Sequence, residues 1–135
     1  MALSKRVVLD TSAYSHFRLG HKALHEELNR ASEILLPVVV LGELHAGFRG
    51  GRHFLDNAAV LDRLLEEPFV TVVDTGRESA ERYGEVFAQL KKSGTPIPTN
   101  DVWIAAVSLA TGARLLSFDG DFKHVVGLSW THFSA

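Results

Sequence analysis

Several acids of this chain fall where a carboxylate is expensive to keep. Asp10 follows the apolar run Val7-Val-Leu9, and Asp119 follows Leu115-Leu-Ser-Phe118. Each run reads as a buried strand, so each acid stands at a strand's carboxyl end, where open parallel sheets bind ligands. Glu43 is the only acid in Val38-Val-Val-Leu-Gly-Glu-Leu-His-Ala-Gly-Phe48, and Asp101 opens the apolar helix candidate Val102-Trp-Ile-Ala-Ala-Val107. A carboxylate beside a core costs free energy unless it is paired or bound to a cation. Taken singly, each has an ordinary explanation: Asp10 and Asp119 as turn residues, Asp101 as an anion at a helix N-terminus, Glu43 pointing to solvent. Taken together they describe one cluster, because unrelated acids would otherwise have to gather at the site-forming end of one sheet.

The chemistry of such a set is narrow. Its candidate ligands are all oxygen donors, which select Mg2+ or Mn2+ over zinc or copper. A cation so held lowers the pKa of bound water and offsets charge on a phosphoryl oxygen. Two cations about 3.5–4 Å apart clamp the attacking and leaving oxygens. No nucleophilic side chain is then required, and bare acids repel phosphate, so activity on a phosphodiester would depend strictly on the cation.

Composition bounds the alternatives. The 135 residues, 46% hydrophobic and 22% charged, suit one compact domain. With 14 basic against 16 acidic residues and a net charge of -2, the chain is no basic nucleic-acid coat. RNA would need a local basic patch or a metal. The absence of cysteine removes disulfides, thiolate zinc, iron–sulfur clusters and a cysteine nucleophile, and fits a reducing cytoplasm. The apolar stretch after Met1 to Arg6 is too short for a signal peptide, and no run is long enough to span a bilayer. A cytoplasmic protein with no membrane partner is the expectation.

The acids need elements to position them. Val7 to Leu9, Ile34 to Leu36, Val70 to Val73 and Leu115 to Phe118 read as strands, with a last strand near Leu128 to Thr131. Helices are expected over Tyr14 to Leu19, with Thr11 and Ser12 as caps, and over His21 to Ala31. Further helices are expected from Val38 to Phe48 (with Pro37 in the first turn and strand as the rival), from Phe54 to Leu65, and from Asp101 to Thr111. Thr75-Gly-Arg-Glu78 has the capping-box pattern and opens a helix carrying Ala80, Tyr83, Phe87 and Leu90 on one face. A short helix is expected near Phe122 to Val126. Short apolar strands alternating with helices predict a three-layer α/β/α sandwich around a mostly parallel sheet of four or five strands.

In order and spacing, these motifs resemble the PIN domain, and within it the VapC-like toxins of bacterial and archaeal toxin–antitoxin pairs. The matching pieces are Val8-Leu-Asp10-Thr-Ser12, Leu41-Gly-Glu43-Leu44, Pro98-Thr-Asn100-Asp101-Val-Trp-Ile104-Ala-Ala106 and Ser117-Phe-Asp119-Gly-Asp121-Phe122. They cover nearly the whole chain, which the resemblance makes one nuclease domain over residues 1–135. The resemblance implies that Asp10, Glu43, Asp101 and Asp119 bind Mg2+ or Mn2+ and carry catalysis, one or two ions per site. Asn100 and Ser117 would orient the ligands, with Thr11 and Ser12 beside them. Ser117 stands where the family more often has threonine, and Asp121 is either a helper or a turn residue. The resemblance further implies endonucleolytic RNA cleavage, a homodimer, and inhibition by a VapB-like antitoxin.

Arg49 and Arg52 follow the Glu43 helix, and Lys91 and Lys92 end a later one; either pair suits contact with RNA phosphate or a merely solvated face. His21 and His25 make half a zinc signature without a third ligand, and the seven histidines exceed any need the sequence shows. Among the large apolar residues, Tyr14, Phe17, Leu19, Phe48, Phe54 and Leu55 suit core first and a partner or dimer surface second. A housekeeping PIN nuclease would share the chemistry. A phospho-receiver domain would want paired acids after the first strand and a lysine after the last, and the chain has neither. A haloacid-type phosphatase would carry its Asp-x-Asp at the first strand, whereas Asp119-Gly-Asp121 lies near the end.

Overall fold

A computed structural model describes residues 5–135; residues 1–4, part of the stretch read against a signal peptide, lie outside the described residues. The chain runs β1 (Arg6–Leu9), α1 (Thr11–Arg18), α2 (Lys22–Arg30), β2 (Glu33–Pro37), α3 (Val38–Arg49) and α4 (Phe54–Leu65). It continues through β3 (Val70–Val73), α5 (Arg77–Ser93), α6 (Thr99–Thr111), β4 (Arg114–Ser117), a 3-10 helix (Gly120–His124) and β5 (Trp130–His132). The strands form one sheet in the order β3-β2-β1-β4-β5, with every pairing parallel. Among the described residues, no helix is long and apolar enough to cross a membrane.

The unbroken apolar strands are explained by burial on both faces. Val7, Leu9, Ile34, Leu36 and Leu116 pack on one side with Ala13 of α1 and Leu24 and Leu28 of α2. Val8, Leu35 and Leu115 face the other side, against Val40 and Leu44 of α3, Val86 and Leu90 of α5, and Ile104 of α6. A strand covered by helices on both sides cannot alternate apolar and polar residues, so period-2 patterning vanishes from the center of the sheet. Edge strand β3 is less covered, with Val70 buried and Thr71 and Val72 exposed.

Some local expectations are corrected. Asp10, not Thr11 or Ser12, caps α1; its side chain accepts from the Ala13 amide, and both hydroxyl residues lie inside the helix. Thr75 and Glu78 form no capping box, because the extended Gly76 takes the cap position and puts Thr75 one residue too early. Pro37 ends β2 and is the residue before α3, rather than lying in that helix's first turn. The β-branched run Val38 to Val40 is helical, so its apolar face against the core outweighs its propensity for strand. Helix α6 begins at Thr99, ahead of Asp101, and β5 lies slightly later than expected, at Trp130–His132.

Because Leu115 is fully buried on a central strand, Leu115→Ala should lower unfolding free energy by about 2–5 kcal/mol. Phe87→Ala, at a half-exposed position on α5, should cost no more than about 1 kcal/mol. Urea denaturation followed by circular dichroism measures both.

Candidate active site

Asp10 is the most constrained acid. It is 3% exposed, at the junction of β1 and α1. Its Oδ1 accepts from the Ala13 amide at 2.8 Å and from the Ser12 hydroxyl at 2.7 Å. Its Oδ2 accepts from the Ser117 hydroxyl at the end of β4. A carboxylate has about four acceptor positions, so Asp10 keeps one for a further partner. Burial raises its pKa above the ordinary aspartate value, while the bonds from Ser117, Ala13 and Ser12 pull it down and Asp119 pushes it up.

The two serines join the strand ends. The Ser12 hydroxyl accepts from the Phe118 amide at 3.0 Å, and the Ser117 hydroxyl accepts from the Asp119 amide at 2.9 Å. A helix residue after β1 thus holds the backbone after β4, and the last residue of β4 holds the Asp10 side chain. Asp119 then caps the 3-10 helix, accepting from the Asp121 amide at 2.9 Å. Glu43, in the middle of α3, is half-buried and accepts from the Thr11 hydroxyl at 2.8 Å. It is therefore tied into the site rather than turned out to solvent.

These residues line one open cleft of about 560 Å3, with Asp10, Thr11, Ser12, Glu43, Asn100, Asp101 and Asp119 among its walls. One carboxylate oxygen from each of Asp101, Asp119 and Asp121 lies within 4.8 Å of the others, and Asp121 is exposed. The electrostatic strain falls on Asp101. Burial, then the charges of Asp119, Asp10 and Glu43, then a side-chain hydrogen bond to Asp119, push its pKa up to about 7. Burial of Asp101, reinforced by the neighboring acids, thus favors its protonated form in the metal-free protein.

Not every residue singled out belongs to the cleft. Asn100 is an exposed part of its rim. Arg49, Arg52, Lys91 and Lys92 do not line it. Arg49 instead holds its guanidinium 4.1 Å over the Phe54 ring. Lys91 lines a smaller apolar groove with Pro96, Ile97 and Val102, next to the Pro98 and Asp101 walls of the cleft. His21 and His25 bind the protein itself: His21 Nδ1 accepts from the Leu24 amide at 3.2 Å, and the Nε2 atoms of His21 and His25 lie 2.8 and 2.9 Å from the carbonyls of Ser134 and Phe17. The double role of Ser12 escaped sequence reasoning, because its second bond reaches a distant strand. Pro98, Thr99 and Ile104 also line the cleft, signaled in sequence only by their nearness to Asp101.

The family model of the PIN domain matches residues 7–128. The chain belongs to the PIN-domain family. Ribonuclease VapC1 of Haemophilus influenzae (strain R2866) is 28% identical over 98 residues, 72% of this chain and 72% of that protein. Ribonuclease VapC5 of Mycobacterium tuberculosis is 26% identical over 120 residues, covering 89% of this chain and 87% of the relative. The VapBC2 structure from Rickettsia felis, solved on a promoter DNA fragment, superposes with a TM-score of 0.86 at 22% identity, over 95% of this chain and 98% of that one. VapBC-1 from nontypeable Haemophilus influenzae superposes with a TM-score of 0.84 at 24% identity, over 94% and 97% of the two chains. The expected three-layer sandwich is the fold these structures share.

The raised pKa of Asp101 has a stability consequence with a definite sign. The folded chain holds a proton on Asp101 up to about pH 7, whereas the unfolded chain releases it near the ordinary aspartate value. Metal-free protein therefore loses stability as pH rises from about 4 to 7. Asp101→Asn should raise the melting temperature of chelator-treated protein at pH 8 by about 3 °C or more, with the gain shrinking toward pH 4. Differential scanning calorimetry across that range checks it.

Proposed function

We propose that this chain is a divalent-metal-dependent endoribonuclease, and that it acts as the toxin of a toxin–antitoxin pair. The observation that carries the reading is the acid cleft, in which carboxylates from four separate stretches of sequence converge. A catalytic site for phosphate would not be built from mutually repelling acids unless a cation stood between them and the substrate. The donor set fits Mg2+ or Mn2+: every candidate ligand is an oxygen, and the Asp101, Asp119 and Asp121 oxygens lie close enough to converge on one ion. Asp10 and Glu43 complete the set from β1 and α3.

When bound, such a cation would offset phosphate charge and lower the pKa of a bound water. The protein's part is placement. The Ser12 and Ser117 hydroxyls fix the Asp10 carboxylate through both of its oxygens, and Thr11 fixes Glu43. Preorganised ligands of this kind need no rearrangement as charge develops on the phosphate. The proton that Asp101 holds in the metal-free protein competes with a cation, so affinity for the divalent ion should rise with pH.

Relatives named Ribonuclease VapC supply the substrate class, RNA. The VapBC complexes among the structural neighbors support a VapB-like antitoxin as partner, and the family resemblance supports a homodimer in the cytoplasm. Leu19 is 82% exposed beside a groove lined by Tyr14, Leu44 and Phe48, and Leu55 is 77% exposed on α4. That apolar surface favors a partnered toxin over a housekeeping nuclease. Arg52, Lys91 and Lys92, exposed outside the cleft, remain candidates for guiding RNA toward it.

Asp10→Asn and Asp119→Asn should abolish cleavage of total cellular RNA while keeping the wild-type circular dichroism spectrum. Ser117→Ala should lower Mn2+ affinity by roughly 10–100-fold, the usual cost of losing a group that orients a ligand. Full cleavage by wild type in excess chelator would reject the metal-dependent reading.

A further inference from the structure

Edge strand β5 carries an aromatic pair that the acids do not use. Trp130 and His132 lie on the same face of the strand, their rings stacked with centroids 5.2 Å apart and planes at 22°. The parallel pairing of β5 with β4 sets His132 level with Ser117. His132 therefore stands at the same carboxyl end of the sheet as Asp10 and Asp119, on the side of the 3-10 turn.

Three contacts hold its ring. The Nε2 atom lies 3.2 Å from the Phe118 carbonyl, the distance of a donated hydrogen bond. Trp130 stacks against it. A Cβ on Gly120 would sit 3.4 Å from its Cε1, so the ring rests against the bare backbone between Asp119 and Asp121. The residue is nevertheless exposed. A ring held in place yet open to solvent costs little ordering entropy when a planar partner settles on it.

The surroundings say what kind of partner. The cleft is acidic, and the basic residues of α3 and α5 stand outside its walls. A nucleic-acid chain entering there gets no cationic support from the cleft walls. Stacking of a base on a ring needs no charge and tolerates any sequence. We propose that His132 is a stacking platform for a base of the single-stranded RNA substrate, on a nucleotide flanking the phosphate that enters the acid cleft. This inference rests on the reading of the cleft as a ribonuclease site.

The test uses the full chain and a short single-stranded RNA containing a cleavage site mapped with the wild-type protein. His132→Ala should raise KM on the order of tenfold, the scale of one lost base stack, with kcat changed less than about twofold. His132→Phe, a ring without the Nε2 donor, should restore KM. His132→Gln, a donor without a ring, should not. If His132 only steadied the turn through the Phe118 carbonyl, the rescue would run the other way, with Gln restoring and Phe failing. That result, or a His132→Ala variant with unchanged KM, overturns the proposal. A scan of single abasic nucleotides across the RNA with wild-type protein reads the contact without any substitution. One flanking position should raise KM, and at that position His132→Ala should add nothing further. The absence of any such position also overturns the proposal. Failure of the wild-type protein to cleave would instead indict the ribonuclease reading itself.

Discussion

Mutual repulsion among carboxylates is the constraint around which this structure is arranged. Asp10, Glu43, Asp101 and Asp119 line one cleft, and Asp121 brings an oxygen to the same cluster. Left in water on a flexible chain, such groups would separate. Here the ends of β1 and β4, the first turn of α6 and the middle of α3 hold them at fixed positions, and the packed core supplies the free energy that keeps them there. Burial and the charges of Asp119, Asp10 and Glu43 together raise the Asp101 pKa, burial most of all.

The scaffold manages that force locally. Ser12 and Ser117 each donate to Asp10 and each accept a backbone amide from the Phe118–Asp119 segment. These bonds favor the charged form of Asp10 against a desolvation that opposes it. They also couple α1 to β4, so the acid at the end of one strand and the acid beyond the next cannot drift apart independently. On the far side of Phe118, its ring lies flat on His16 with centroids 3.7 Å apart, and His16 Nδ1 lies 2.9 Å from the Ser12 carbonyl. Part of the histidine excess, which the sequence left unexplained, is thus spent on packing this turn.

Much of this was legible before any coordinates. The strands announced themselves as short unbroken apolar runs, and the acids at their ends marked the edge of the sheet where ligands gather. Glu43 stood out as the only acid in the apolar segment from Val38 to Phe48. What stayed hidden depended on contacts between distant segments. Ser12 bonding to Phe118 and Asp121 lying beside Asp101 require the strand order, which periodicity does not reveal. The Thr75–Glu78 pattern misled because the local motif is one residue out of phase with where the backbone turns helical. The basic residues near the acids in sequence point elsewhere in space, since neighbors along a helix end need not face the same cleft.

The central claim is that these acids exist to hold a divalent cation. Anomalous diffraction from crystals of the protein grown with Mn2+ tests it most directly. A peak should appear in the cleft, with carboxylate oxygens of Asp101 or Asp119 and of Asp10 or Glu43 at about 2.1–2.3 Å. A cleft without anomalous signal at saturating Mn2+, or a peak bound only by residues outside it, would contradict the account.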